Sequence, residues 1–155
     1  MEFEEAGHIQ MLRHSLRQFV SEWAPAEAVA KWDKEDSLPA ELLAELAKLG
    51  VCGLTVDEKF GGPGRDVLAM VAVIEELARA STALASLYIM NTVYGCMNVA
   101  ASCTAEQRDR WLPALLSGDS LFALGLSEPN VGADLASVTT TARRVGNGIV
   151  INGVK

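Results

Sequence analysis

The residues best placed to do chemistry stand in one nine-residue stretch, LSEPNVGAD (126–134), which follows the apolar run LFALGL (121–126). Ser127 offers a hydroxyl, and Glu128 and Asp134 offer carboxylates. Pro129 restricts Glu128 to extended geometry. Asn130 and Gly132 tolerate positive φ, which would let several backbone N–H groups converge. Such a concavity suits an anion or the polar edge of a heteroaromatic ring. A solvated turn accounts for the same residue types. Other chemistries have less behind them. Glu128 and Asp134 as a glycosidase-like acid/base pair would need a carboxyl separation that closeness in sequence does not set. Ser127 lacks the G-x-S-x-G context of a nucleophile elbow and has no histidine nearby. Read from residues alone, the stretch is a ligand-facing loop or a bare turn.

The rest of the chain offers few alternatives. His8 and His14 have no acidic or cysteine partner at catalytic spacing and are expected on the surface. Cys52, Cys96 and Cys103 lack C-x-x-C or Cys/His spacing, which argues against disulfide and zinc frameworks and for buried, reduced thiols. Gly61, Gly62, Pro63 and Gly64 form a loop without the lysine and strand context of a P-loop, so a structural turn is expected. Net charge is −7, with basic residues scattered and not striped, so a nucleic-acid surface is not indicated. The start, MEFEEAGHIQ, lacks the basic and apolar regions of a signal peptide, and a cytoplasmic location is expected. Residues 80–105 carry no charge and are long enough for a bilayer. Their serines, threonines and asparagines make them only mildly apolar, so a helix buried among helices is the reading, with no membrane span.

Elements to position the loop follow from periodicity. Ile9, Leu12, Leu16, Phe19 and Trp23 predict a helix over about 4–23, ending before Pro25. Ser37 is read as an N-cap with Pro39 in the first turn, Leu42, Leu43, Leu46 and Leu49 as a core face, and Gly50 as the stop. VCGLTV (51–56) is a connector. Asp66 caps a helix expected to bury Val67, Met70, Val71, Ile74 and Leu77 and to expose Glu75, Glu76 and Arg79. The uncharged helix runs to about Cys103. Thr104 and Gln107 have capping-box spacing for a last helix, which Pro113 should kink or end early, with Gly118 closing the region. After residue 120 the pattern changes. LFALGL reads as a buried strand, and Thr-, Val- and Ile-rich segments flank Gly146-Asn147-Gly148, a hairpin signal. The expected fold is mainly α: an N-terminal helical-bundle domain (1–120), then the first strands of a β-domain (121–155). Two or three strands cannot bury a core unaided, so the chain reads as part of something longer.

Four stretches, in order, resemble the acyl-CoA dehydrogenase family: ELAKLGVCGLTVDEKFGGPG (45–64), VIEELARAS (73–81), TAEQRDRWLPALLSGD (104–119) and ALGLSEPNVGADLASVTTTARRVGNGIVINGVK (123–155). The last is similar to a family pattern T-E-P-x-A-G-S-D followed by a hairpin ending N-G-x-K. The resemblance implies an enzyme in which a helical domain, a β-domain and a C-terminal helical domain enclose FAD and an acyl-CoA thioester. There a glutamate takes the α-proton while the β-hydride passes to the flavin. By position, Leu124, Leu126 and Ser127 match the segment along the isoalloxazine ring, and Gly132 and Ala133 match the turn at the FAD phosphates. Ala133 also matches a position near the CoA moiety, and Met90, Asn91 and Tyr94 match positions that line the acyl pocket in some members, although core packing explains Met90 and Tyr94 equally well. Ser127 stands where the family usually has Thr, and Ala133 where it usually has Ser. The first keeps the hydroxyl; the second loses a side-chain donor, a change of about 1 kcal/mol. The W-I-[ST]-N segment and the catalytic glutamate of the pattern have no counterpart, so no catalytic residue is assigned and inactivity of the chain by itself is expected. The implied partners are an acyl-CoA, an electron-accepting flavoprotein and further copies of the chain in a dimer or tetramer. Acyl-CoA oxidases, flavin monooxygenases and nitroalkane oxidases share this helical domain and stay open as readings, as does a helical interaction module without flavin.

Overall fold

The computed structural model describes residues 5–155 and divides into two compact units, one ending at Ala123 and one spanning Leu124–Lys155. The first is helical: α1 (Gly7–Trp23), α2 (Ala26–Glu35), α3 (Leu42–Ala47), α4 (Val67–Ala80), α5 (Thr82–Ile89), α6 (Met97–Ser102) and α7 (Ala105–Leu116). One core joins Leu16 and Phe19 of α1, Trp32 of α2, Leu42 and Leu46 of α3, Val73 and Leu77 of α4, and Leu84 and Tyr88 of α5. A second gathers Val56, Cys96, Val99, Leu112 and Leu115.

Several ends form as their residues dictate. Asp66 accepts from the Ala69 N–H at 2.9 Å and starts α4. At α7 the Thr104 hydroxyl accepts the Gln107 N–H at 3.2 Å, and the Gln107 side chain accepts the Thr104 N–H at 3.0 Å, a reciprocal cap. Gly50 and Gly118 take positive φ where α3 and α7 end. The GGPG segment is a structural turn. A Cβ at Gly62 would lie 2.2 Å from the Val56 carbonyl oxygen, so only glycine lets the loop pass that close.

Other expectations are corrected. Helix α2, which follows Pro25 and carries Lys34 in its last turn, has no counterpart among the helices that the apolar periodicity predicts. Ser37 is not an N-cap: its N–H bonds to the Trp32 carbonyl at 3.2 Å and closes α2 behind a left-handed Asp36. Helix α3 begins only at Leu42, without a side-chain cap, and Leu49 is left exposed. Helix α4 is turned from the expected phase. Val67 and Val71 are exposed and Glu76 is buried, because Arg13 and Arg17 of α1 reach across to its carboxylate. Pro113 does not end α7 early; the helix runs on to Leu116, since only one late bond is missing. His8 does have a carboxylate partner, Asp66, at 2.8 Å from Nε2, brought from 58 residues away.

The uncharged stretch is helical from Thr82 to Ser102, opened by the Ser81 hydroxyl and wound as a π-helix over Met90–Cys96. No helix among the described residues is long and apolar enough to cross a membrane. Cys52 and Cys96 are buried free thiols, and Cys103 is partly exposed.

In the second unit β1 (Thr141–Val145) and β2 (Gly148–Asn152) pair antiparallel, with Val145 opposite Gly148 across the two-residue turn Gly146-Asn147. The hairpin signal is realised. LFALGL is not a strand: residues 121–127 have no regular structure, and Leu121, Leu124 and Leu126 are exposed. A strand needs a partner ladder, and no strand among the described residues lies beside this run to supply one.

Candidate functional site

The LSEPNVGAD loop is built around a buried carboxylate. Within Leu124–Lys155 the two buried residues are Glu128 and Val131, which exchange backbone bonds of 2.9 and 3.0 Å and close a turn over Pro129 and Asn130. Neither Asn130 nor Gly132 takes positive φ, so the expected left-handed concavity does not form. The paired Glu128–Val131 backbone groups close the turn without it.

Glu128 is fully engaged. Its Oε2 accepts from the Thr139 N–H at 2.8 Å and the Thr139 hydroxyl at 2.7 Å, and its Oε1 accepts from the Thr140 N–H at 2.9 Å. Lys155 Nζ stands 3.1 Å from Oε1 and donates to the Leu126 carbonyl at 2.9 Å. Bonds from Thr140 and Thr139 hold the Glu128 carboxyl well below the usual carboxylate range. An ionised carboxylate with its lone pairs filled is an anchor, and proton exchange with a substrate is closed to it. Asp134 accepts from the Ser137 hydroxyl and is exposed, so no acid/base pair is assembled.

Leu124, Leu126 and Ser127 stand together on the exposed arm before this anchor. Ser127 keeps both its N–H and its hydroxyl free of any protein partner among the described residues. Gly132 and Ala133 lie exposed just beyond the turn, and a Cβ at Gly132 would meet nothing within 4 Å. The arm thus offers unspent donors, and the turn offers open space. Sequence reasoning missed Thr139, Thr140 and Lys155; the N-G-x-K ending was the signal available.

Met90, Asn91 and Tyr94 belong to the helical unit and share the π-helical turn. Tyr94 is at the surface, and Met90 is partly buried. Asn91 is fully buried: its Nδ2 donates to the Leu115 carbonyl at 2.9 Å, and its Oδ1 has no partner among the described residues. Burial pushes the neighbouring Cys52 thiol up to about 11 and the Cys96 thiol up to about 12, so both are protonated and unreactive at neutral pH. Among the described residues no group of His, Cys, Asp and Glu could hold a metal ion.

The profile of the acyl-CoA dehydrogenase N-terminal domain matches residues 7–119. The chain belongs to the acyl-CoA dehydrogenase family. An acyl-CoA dehydrogenase of Bacillus subtilis is 34% identical over 146 residues, which are 94% of this chain and 38% of that protein. A glutaryl-CoA dehydrogenase solved with glutaryl-CoA superposes with a TM-score of 0.90 at 29% identity, over 99% of this chain and 39% of that one. A second glutaryl-CoA dehydrogenase, from Mycobacterium smegmatis and in complex with FADH2, gives 0.88 at 28% identity, over 96% of this chain and 38% of its own. The chain therefore spans about two fifths of the length of these acyl-CoA dehydrogenases.

Proposed function

We propose that this chain supplies the N-terminal helical domain and the flavin-facing arm of an FAD-dependent acyl-CoA dehydrogenase, and that it is inactive by itself. The supporting observation is the exposed Ser127, with two free donors, on an arm fixed by a saturated carboxylate in a chain of this family. The residues fit the cofactor. Main-chain groups of Leu124 and Leu126 and the Ser127 N–H and hydroxyl would meet the isoalloxazine edge, and the open Gly132–Ala133 turn would meet the phosphates. FAD when bound supplies the hydride acceptor. This chain's residues orient it, and the general base lies outside them. In the helical unit Met90 and Tyr94 are the accessible positions of the acyl-pocket set, whereas Asn91 serves by shaping the π-helical turn. Ala133, near the CoA position, offers backbone only. The partners in this reading are an acyl-CoA, an electron-accepting flavoprotein and further copies of the subunit.

A chimera tests the reading: residues 1–155 replace the corresponding part of the Bacillus subtilis relative. The expected protein holds FAD and loses visible flavin absorbance when acyl-CoA is added anaerobically. The chain alone should lose FAD on gel filtration. A well-folded chimera that binds no FAD, or holds FAD that acyl-CoA never reduces, would refute the proposal. Rapid peroxide formation in air would point instead to an oxidase.

A further inference from the structure

We propose that Glu128 and Lys155 form a positioning pair that sets the orientation of the Leu126–Ser127 peptide and so aims the Ser127 donors at the ligand. The inference rests on the reading that this arm faces a flavin. Its geometry stands within the second unit alone.

Lys155 Nζ contacts both the Glu128 carboxylate, at 3.1 Å, and the Leu126 carbonyl, at 2.9 Å. The Leu126–Ser127 peptide is planar and trans, so its C=O and N–H point in opposite directions. Fixing the Leu126 carbonyl toward Lys155 therefore turns the Ser127 N–H to the opposite side. The ammonium also draws electron density through the same peptide, which strengthens the Ser127 N–H as a donor to an electron-rich heteroatom.

Lys155 is itself held. Its partner Glu128 is pinned by the consecutive Thr139 and Thr140 N–H groups at 2.8 and 2.9 Å and by the Thr139 hydroxyl at 2.7 Å. The chain can bring Lys155 there because residue 153 is glycine. A Cβ at Gly153 would lie 2.0 Å from Thr140 Oγ1 and 2.6 Å from Thr140 Cβ, so any side chain would force the 153–155 segment off Thr140. The N-G-x-K ending thus has a physical basis: glycine permits the crossing, and lysine two residues on closes the pair. The loop's SEP element and the hairpin's last residues work as one device, although 27 residues separate Glu128 from Lys155.

The test uses nitrogen-15-labelled 1–155, with FAD added at high concentration and the loop amides followed by NMR. In the native chain the Thr139 and Thr140 amides should show the downfield shifts of bonds to a carboxylate, and FAD should shift the Ser127 amide. Lys155→Met should move the Ser127 amide in the free chain and weaken its FAD response about five- to tenfold, the loss of one bond's orientation. Lys155→Arg should restore both. Glu128→Gln should release Lys155 and give the same Ser127 signature, and Arg144→Ala on the hairpin should leave it unchanged. Retained cross-strand signals between Ala142 and Ile151 of the β1–β2 hairpin report that the second unit stays folded in Lys155→Met. An unchanged Ser127 shift and FAD response in Lys155→Met would overturn the positioning role alone. Native Thr139 and Thr140 shifts with no FAD response at Ser127 would overturn the positioning role, and the flavin reading falls with it only if the chimera also fails to bind FAD.

Discussion

Substitution of Glu76 by glutamine measures how far the helical unit depends on one buried carboxylate. Its side chain is 3% exposed and accepts from Arg13 Nη1 at 3.0 Å and from Arg17 Nε and Nη2 at 3.0 and 2.8 Å. These bonds join α4 to α1. Glutamine keeps one acceptor oxygen but turns a buried amide toward two guanidinium groups. A hydrogen bond to a charged group contributes about 1.5–3 kcal/mol, and three such bonds sharing one carboxylate do not add. Arg17 is 59% exposed and regains water when released, and Arg13 keeps Glu5 and Glu75, so the loss should fall near the lower end. The expected cost is about 2 kcal/mol, or about 8 °C in Tm for a unit of this size. Bonds from Arg17, with those from Arg13, lower the Glu76 pKa in the folded state. Its contribution is therefore present above the unfolded glutamate value of about 4.3 and is lost as pH falls through the folded value. Calorimetry on both proteins across pH is the assay. The wild-type advantage should be constant at neutral pH and above and should shrink on acidification. A difference below about 0.5 kcal/mol at neutral pH would refute the reasoning, as would one that persists undiminished at the acid end, which would mark a packing loss.

Gly62→Ala should lower the unfolding midpoint by the equivalent of about 2–3 kcal/mol, because the Val56 carbonyl must move from a Cβ 2.2 Å away, whereas Gly132→Ala, with open space around it, should be near neutral by the same urea titration. An aromatic disulfide reagent should titrate one thiol of the native chain, Cys103, and reach Cys52 and Cys96 only on unfolding. The Glu128 anchor should fail in acid: its depressed pKa gives a contribution present above about 4.3 and lost as pH falls through the folded value. The Thr139 and Thr140 amide shifts would report that transition, and Lys155→Met, which removes the cation facing the carboxylate, should raise its midpoint.

What was legible in the sequence was local. The caps at Asp66 and Thr104, the stops at Gly50 and Gly118, and the hairpin turn at Gly146-Asn147 each depend on residues within a few positions, and each forms. The misses depend on distant partners. Counting apolar residues along α4 favours the Val67–Val71 face. The helix keeps Leu77 in the core, with Met70 and Ile74 against it, but is turned so that Val67 and Val71 face out and Glu76 faces in, where Arg13 and Arg17, about 60 residues away, neutralise it. Nothing in the composition of Met90–Cys96 separates a π-helix from an α-helix. Glu128 invites an acid/base reading until Thr139, Thr140 and Lys155 are seen to close on it.

The irregular backbone of LFALGL bears on function. A buried strand commits its N–H and C=O groups to neighbours, leaving side chains as its means of recognition. Residues 124–127 are held by their neighbours without being consumed by a ladder: Lys155 takes the Leu126 carbonyl, the Glu128–Val131 pair closes the chain beyond, and the Ser127 donors have no partner among the described residues. Backbone groups held in place but unpaired are costly to bury and ready to bind. That accounts for the conjunction of an apolar run with turn chemistry. In the reading proposed above, the exposed leucines would present a surface to a flat ring, and the motif after them would hold the peptide that meets the ring's polar edge. On this reasoning Ser127→Ala in the chimera should weaken FAD less than Lys155→Met, because the first removes one hydroxyl and the second misaims the N–H and the hydroxyl together. Flavin fluorescence titration of the two variants would show the order, and the reverse order would mean that the hydroxyl acts without the orientation proposed for its peptide.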